Sequence, residues 1–163
     1  MQNSKKFLLI ISILISRSLL AQQVNKNIIN ENILVCWRVK DYRLEKAVAL
    51  TDREIKNFSK REVCLNNDKL ELIIDTIMSP KYSITTFNSE KYLWDTFRYT
   101  KKHIGIETEN LYEISVKGKS SNKKIGEVAY SFLYDGNYLY FIEDGVIFRL
   151  YKPKSSPNRS SSH

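Results

Sequence analysis

Histidine is almost missing from this chain: His103 and the terminal His163 are the only two among 163 residues. Because histidine is the usual proton carrier and metal ligand near neutral pH, its scarcity excludes most metal constellations and most acid-base sites. Cysteine is equally sparse. Cys36 and Cys64 stand 28 residues apart with no histidine near either, which is not a zinc spacing. The five glycines are scattered over turns, so no phosphate-cradling loop exists, and no internal repeat is visible. Neither a catalytic residue nor a metal or cofactor is therefore expected, and the chain does not read as an enzyme. Two pairs of acids, Glu107 with Glu109 and Glu143 with Asp144, read as solvated turn residues rather than as a catalytic couple. His103 follows Lys101 and Lys102 in what reads as a surface loop.

The one long apolar run lies at the start. Lys5 and Lys6 precede Phe7 to Ile15, and Ala21 fits the residue before a cut, so residues 1–21 read as a secretory signal peptide. Arg17 interrupts the run, which is too short to cross a bilayer, so no stable membrane span is expected after cleavage. Leu19 occupies a place where a small residue is preferred, which keeps an uncleaved anchor as the other reading. Loss of this leader removes three cations and no acid from a chain of formal charge +8, so the domain itself is only mildly basic. The expected compartment is periplasmic or secreted. In that setting an even cysteine pair is expected to form a disulfide, Cys36 to Cys64, and both lie out of phase with their apolar neighbours, hence off the core face.

Residues 22–30 are polar without period and read as a loose arm. A single domain is expected over 31–152, and 153–163, made of proline, serine and charge, reads as a disordered tail. Within the domain, alternation predicts strands over 33–39, 61–65, 70–75, 81–87, 111–117, 125–134, 138–143 and 146–151. Thr51 with Glu54 three residues on is a capping-box start to a short helix, and Leu93, Trp94 and Phe97 fall at helical spacing in a second. Eight strands in antiparallel sequence order close most economically as an up-and-down barrel, the alternative being a half-open sheet wrapped on the longer helix.

The segment from Tyr130 to Lys152 raises the functional question. Asp135-Gly136 and Asp144-Gly145 separate aromatic and β-branched runs and predict two tight hairpins, Tyr134 pairing with Asn137 and Glu143 with Val146. One face of this ribbon collects Val128, Tyr130, Phe132, Leu139, Phe141, Val146, Phe148 and Leu150 without a charge, as a core face would. The other collects Ala129, Ser131, Leu133, Tyr138, Tyr140, Ile142, Ile147, Arg149 and Tyr151, too apolar for a solvated face. Tyr138, Tyr140, Arg149 and Tyr151 are therefore candidate protein-binding residues, tyrosine and arginine being frequent interface anchors. The bland reading is that the helix with Leu93, Trp94 and Phe97 covers them.

A first strand with inward Trp37, a short helix, a meander and the terminal "DGVIFRLYK" resemble the small lipocalin-like barrels of exported bacterial proteins. The resemblance covers most of the mature chain at the level of pattern. It implies an eight-stranded antiparallel barrel with two short helices that binds either another protein or a small apolar molecule. A ligand of the second kind would lie against Trp37, Phe132, Phe141 and Phe148. A barrel of this size is readily filled by its own side chains, so a protein partner, an unknown exported or envelope protein met in inhibitor or immunity fashion, is the leading expectation. Arg98, Lys101, Lys102, Lys117, Lys119, Lys123 and Lys124 read as a solvated cationic rim, the sharper alternative being attraction to an acidic partner or an anionic envelope surface; export argues against nucleic acid.

Overall fold

A computed structural model describes residues 33–122 and 125–153; the expected leader, the arm, the tail beyond residue 153, and Lys123 with Lys124 lie outside them. The chain divides into two units, Met1–Leu34 and Val35–His163, and every strand belongs to the second. The strands are β1 (Cys36–Leu44), β2 (Glu62–Cys64), β3 (Lys69–Glu71), β4 (Thr76–Asn88), β5 (Asn110–Ser120), β6 (Glu127–Tyr134), β7 (Tyr138–Glu143) and β8 (Val146–Tyr151). They form one antiparallel sheet in the order β2-β1-β8-β7-β6-β5-β4-β3. Pairing of β1 with β8 brings the two ends of the meander together, and only the short β2 and β3 remain as edges. The result is a nearly closed eight-stranded barrel, an architecture consistent with the lipocalin-like expectation.

Both helices expected from capping and spacing are present, α1 (Asp52–Ser59) and α2 (Ser89–Phe97), and a third, α3 (Lys101–Ile104), stands where the sequence reads as a loop. In α1 the capping box is complete: Thr51 Oγ1 accepts from the Glu54 amide at 3.3 Å and Glu54 Oε2 accepts from the Thr51 amide at 2.8 Å. That start aims Ile55 and Phe58 at the barrel. Phe58 lies 4.8 Å from Phe148 and 5.8 Å from Phe141 between ring centroids, so α1 plugs the interior.

The face assignment of the terminal ribbon follows the alternation. Phe132, Leu139, Phe141, Val146, Phe148 and Leu150 are buried. The second hairpin has the expected register, Glu143 opposite Val146, with positive φ at both Asp144 and Gly145. Gly145 also answers a close approach, because an added Cβ would lie 1.8 Å from the Ala47 carbonyl oxygen. The first hairpin differs from expectation: Tyr134 pairs with Leu139 rather than facing Asn137. The Asp135 carboxylate causes this by accepting from the amides of Asn137 and Tyr138, which tightens the turn around Gly136. A slip of two positions preserves every side chain's face.

Two further corrections concern β4 and the acids. Strand β4 does not begin after Pro80 but runs through it, by way of a bulge between Met78 and Lys81 with Ser79 at φ 48°. Glu143 is not a solvated turn residue. It shares the inward phase of Phe141 and is half-buried, and desolvation, with the charge of Asp144 adding to it, pushes its pKa up to about 7.

Cys36 and Cys64 are direct register partners on β1 and β2 and are joined by a disulfide. The bridge ties one edge strand to its neighbour and, by loop closure, stabilises by roughly 3 to 4 kcal/mol in the chain-entropy model. This disulfide is compatible with an extracellular or periplasmic protein. Among the described residues no helix is long and apolar enough to cross a membrane.

The pKa of Glu143 makes a signed prediction. Its folded value lies above the unfolded one, so the folded protein holds an extra proton between about pH 4.5 and 7 and stability falls as pH rises through that window. Glu143→Gln should therefore match the parent near pH 4 and exceed it by on the order of 1 to 2 kcal/mol at pH 8, read by chemical denaturation at both pH values.

Candidate functional site

The outer faces of β7, β8 and β1 lie side by side, and register fixes which residues meet. Tyr138 is opposite Tyr151, which is opposite Arg38; Tyr140 is opposite Arg149, which is opposite Asp41; Ile142 is opposite Ile147, which is opposite Arg43. All four ribbon residues singled out in the sequence thus share one surface, but α2 and α3 divide it. Leu93 of α2, Ile104 of α3 and Ile106 after it form a buried cluster with Leu111, Leu133, Tyr140 and Ile147. Trp94, expected among the covering residues, instead points to solvent with 52% of its surface exposed.

Tyr140 is entirely covered. Its hydroxyl donates to Asp135 Oδ2 at 2.9 Å, and burial together with the Asp135 charge pushes its pKa up. The candidate interface therefore loses its central tyrosine, which is a core residue holding the cap on the barrel wall. Tyr138 stays half-exposed and Tyr151 exposed.

These two rings sit in a cationic frame. Lys40 Nζ donates to Tyr138 Oη at 2.9 Å, and the Arg149 guanidinium carbon lies 5.2 Å from the centroid of the Tyr138 ring. Arg149 is held in place by a two-pronged contact with Asp41, its Nε donating to Oδ1 at 3.1 Å and Nη2 to Oδ2. At the next row, Arg38 Nε donates to Glu62 Oε1 at 2.7 Å.

Beside this strip opens a cleft of about 200 Å³, lined by Asp41, Arg43, Lys102, His103, Gly105 and Arg149 among others. Arg43 donates to the His103 carbonyl, while the His103 ring lies 2.9 Å from Glu45 Oε1 and stacks at 4.6 Å on Tyr99. His103 is thus not the free surface residue expected but part of the strut fastening α3 to β1. Sequence reasoning misplaced it because α3 is only four residues long and its N-cap, Thr100, has no capping-box glutamate. Among the described residues neither Lys40 nor Lys102 enters an ion pair, so the strip and cleft together are net cationic.

The proposed interior lining comes together as a packed core. Trp37, Phe132, Phe141 and Phe148 are each at most 1% exposed; Phe132 stacks on Phe141 at 5.0 Å, and Trp37 meets the edge of Tyr134 at 5.9 Å. One group of metal-capable side chains is present among the described residues, Cys36, Glu62 and Cys64, but both sulfurs are spent in the disulfide and Glu62 is engaged by Arg38. Compared with known proteins, the chain matches no family model, no curated protein and no solved structure.

The division of the strip predicts different responses to truncation. Tyr140→Ala should cost about 3 to 4 kcal/mol through the cavity left under Leu93 and Ile104. Tyr140→Phe should cost about 1 kcal/mol through the hydrogen bond alone, and Tyr151→Ala less than about 1 kcal/mol. Urea unfolding of the three variants is the check.

Proposed function

We propose that the protein is an exported, non-enzymatic binding module, an inhibitor or immunity-type barrel. It engages an acidic surface of another exported or envelope protein through Tyr138, Arg149 and Tyr151. The observation that carries this reading is the half of the outer face left uncovered by α2 and α3. There two accessible tyrosines flank an arginine already fixed by Asp41, with Lys40 and a cationic cleft alongside. Rigid aromatic and arginine anchors lose little side-chain freedom on docking, and unpaired cations around them favour encounter with negative charge. Tyr140, one row away under α2 and α3, is core and takes no part in the contact.

The reading as a carrier of an apolar molecule inside the barrel has weaker support. Of the rings that would line such a pocket, Phe132 packs on Phe141 and Phe141 on Phe148, and Phe58 packs on Phe141 and Phe148, occupying the room a ligand would need.

The test is capture of a partner from an envelope extract on immobilised mature chain, followed by affinity measurement with the purified partner. Tyr138→Ala combined with Tyr151→Ala should leave the unfolding midpoint within a few degrees and weaken binding at least about tenfold. Binding of the parent should also fall between about 0.05 and 0.5 M salt. Unchanged affinity of the double variant, or no retained partner, would remove the strip from the account.

A further inference from the structure

The barrel wall has a second irregular place. Strands β6 and β7 pair only from Phe132 opposite Phe141 to Tyr134 opposite Leu139, although β6 reaches back to Glu127 and β7 runs on to Glu143. The neighbouring ladders show no such early end, since β5 follows β6 down to Glu127 and β8 follows β7 to Glu143. Continuing the register would set Ser131 against Ile142 and Tyr130 against Glu143. The strands part there instead, and a cavity of about 340 Å³ occupies the seam. By phase, Tyr130, Phe141 and Glu143 belong to the inner side of the wall and Leu133 and Ile142 to the outer, so the cavity reaches through the sheet.

The chemistry of this seam is distinctive. Its walls are aromatic and aliphatic, Glu143 is the one acid lining it, and no lysine or arginine lines it. Among the described residues Glu143 enters no ion pair. Glu143 thus contributes a negative field at the seam, in a chain of formal charge +8. Tyr130 registers that field: its pKa is raised by burial first and then by Asp75, Glu143 and Asp144. Asp75 acts on Tyr130 from outside the seam lining; its Oδ1 accepts from Thr76 and Ser120, while its buried Oδ2 has no hydrogen-bond partner. A half-desolvated carboxylate without a counter-charge is costly, and a cation brought to it relieves that cost. Ring faces at the same place add attraction for a cation.

We propose that the seam between β6 and β7 binds a small organic cation, an amine with an aromatic or aliphatic body. Its nitrogen pairs with the Glu143 carboxylate, and its body lies among Phe141, Leu133 and Ile142. The volume lies at the low end of ligand sites, roughly 300 to 1,000 Å³, which limits the ligand to a small amine. The site is separate from the Tyr138–Tyr151 strip and does not depend on the protein-binding reading.

The probes are 2-phenylethylammonium and its neutral counterpart 2-phenylethanol, titrated at pH 8 into the mature chain while amide NMR signals are followed. The amine should shift the signals of Ser131 and Ile142 and bind at least tenfold more tightly than the alcohol. Glu143→Gln should remove that preference. Ala129→Trp, an exposed position at the rim, should fill the seam and abolish amine binding with an unchanged unfolding midpoint. Equal affinity for the two probes, persistence of the preference in Glu143→Gln, or shifts confined to residues away from the seam would overturn the proposal.

Discussion

The structure depends on one constraint, that the ribbon of β6, β7 and β8 is apolar on both faces and needs a cover on each. Inside, closure of the meander and the plug of α1 supply it: Phe58 meets Phe141 and Phe148, and Trp37 meets Tyr134. Outside, α2, α3 and the turn to Ile106 supply it over Leu133, Tyr140 and Ile147. The covering segment is short, and the outer row formed by Tyr138 and Tyr151 extends beyond it. What remains of the apolar outer face after the core has taken its share is the row of Tyr138 and Tyr151, edged by Lys40 and Arg149.

Much of this was legible from alternation alone. The phase of the ribbon put Phe132, Phe141 and Phe148 inside and Tyr138, Tyr140, Arg149 and Tyr151 outside, and it put both cysteines off the core face, where they meet as register partners. The same phase places Glu143 beside Phe141, so its burial was present in the pattern; the acid was read by its type and its nearness to a turn instead. Which outer residues are covered was not legible. That depends on where a four-residue helix lands after a left-handed Arg98, a tertiary event with no periodic signal. Tyr140 accordingly looked like Tyr138 in sequence, although Asp135, five residues before it, was there to receive its hydroxyl.

Electrostatics divide the molecule in a way that its overall charge conceals. The outer strip is cationic through Lys40, Lys102 and Arg43, while the seam between β6 and β7 is acidic through Glu143. The two lie on opposite flanks of β7, and among the described residues each has a charge outside any ion pair. Under the proposals made above, the strip meets a macromolecule and the seam a small cation.

The most direct test of the two-sided cover is tyrosine nitration of the native protein, mapped by mass spectrometry. Tyr151 should be modified readily and Tyr138 more slowly, while Tyr140, one residue row away on the same outer face, should stay unmodified until the protein unfolds. Nitration of Tyr140 in the native state at a rate comparable to Tyr151 would contradict the account, because it would mean that α2 and α3 do not close over the barrel wall.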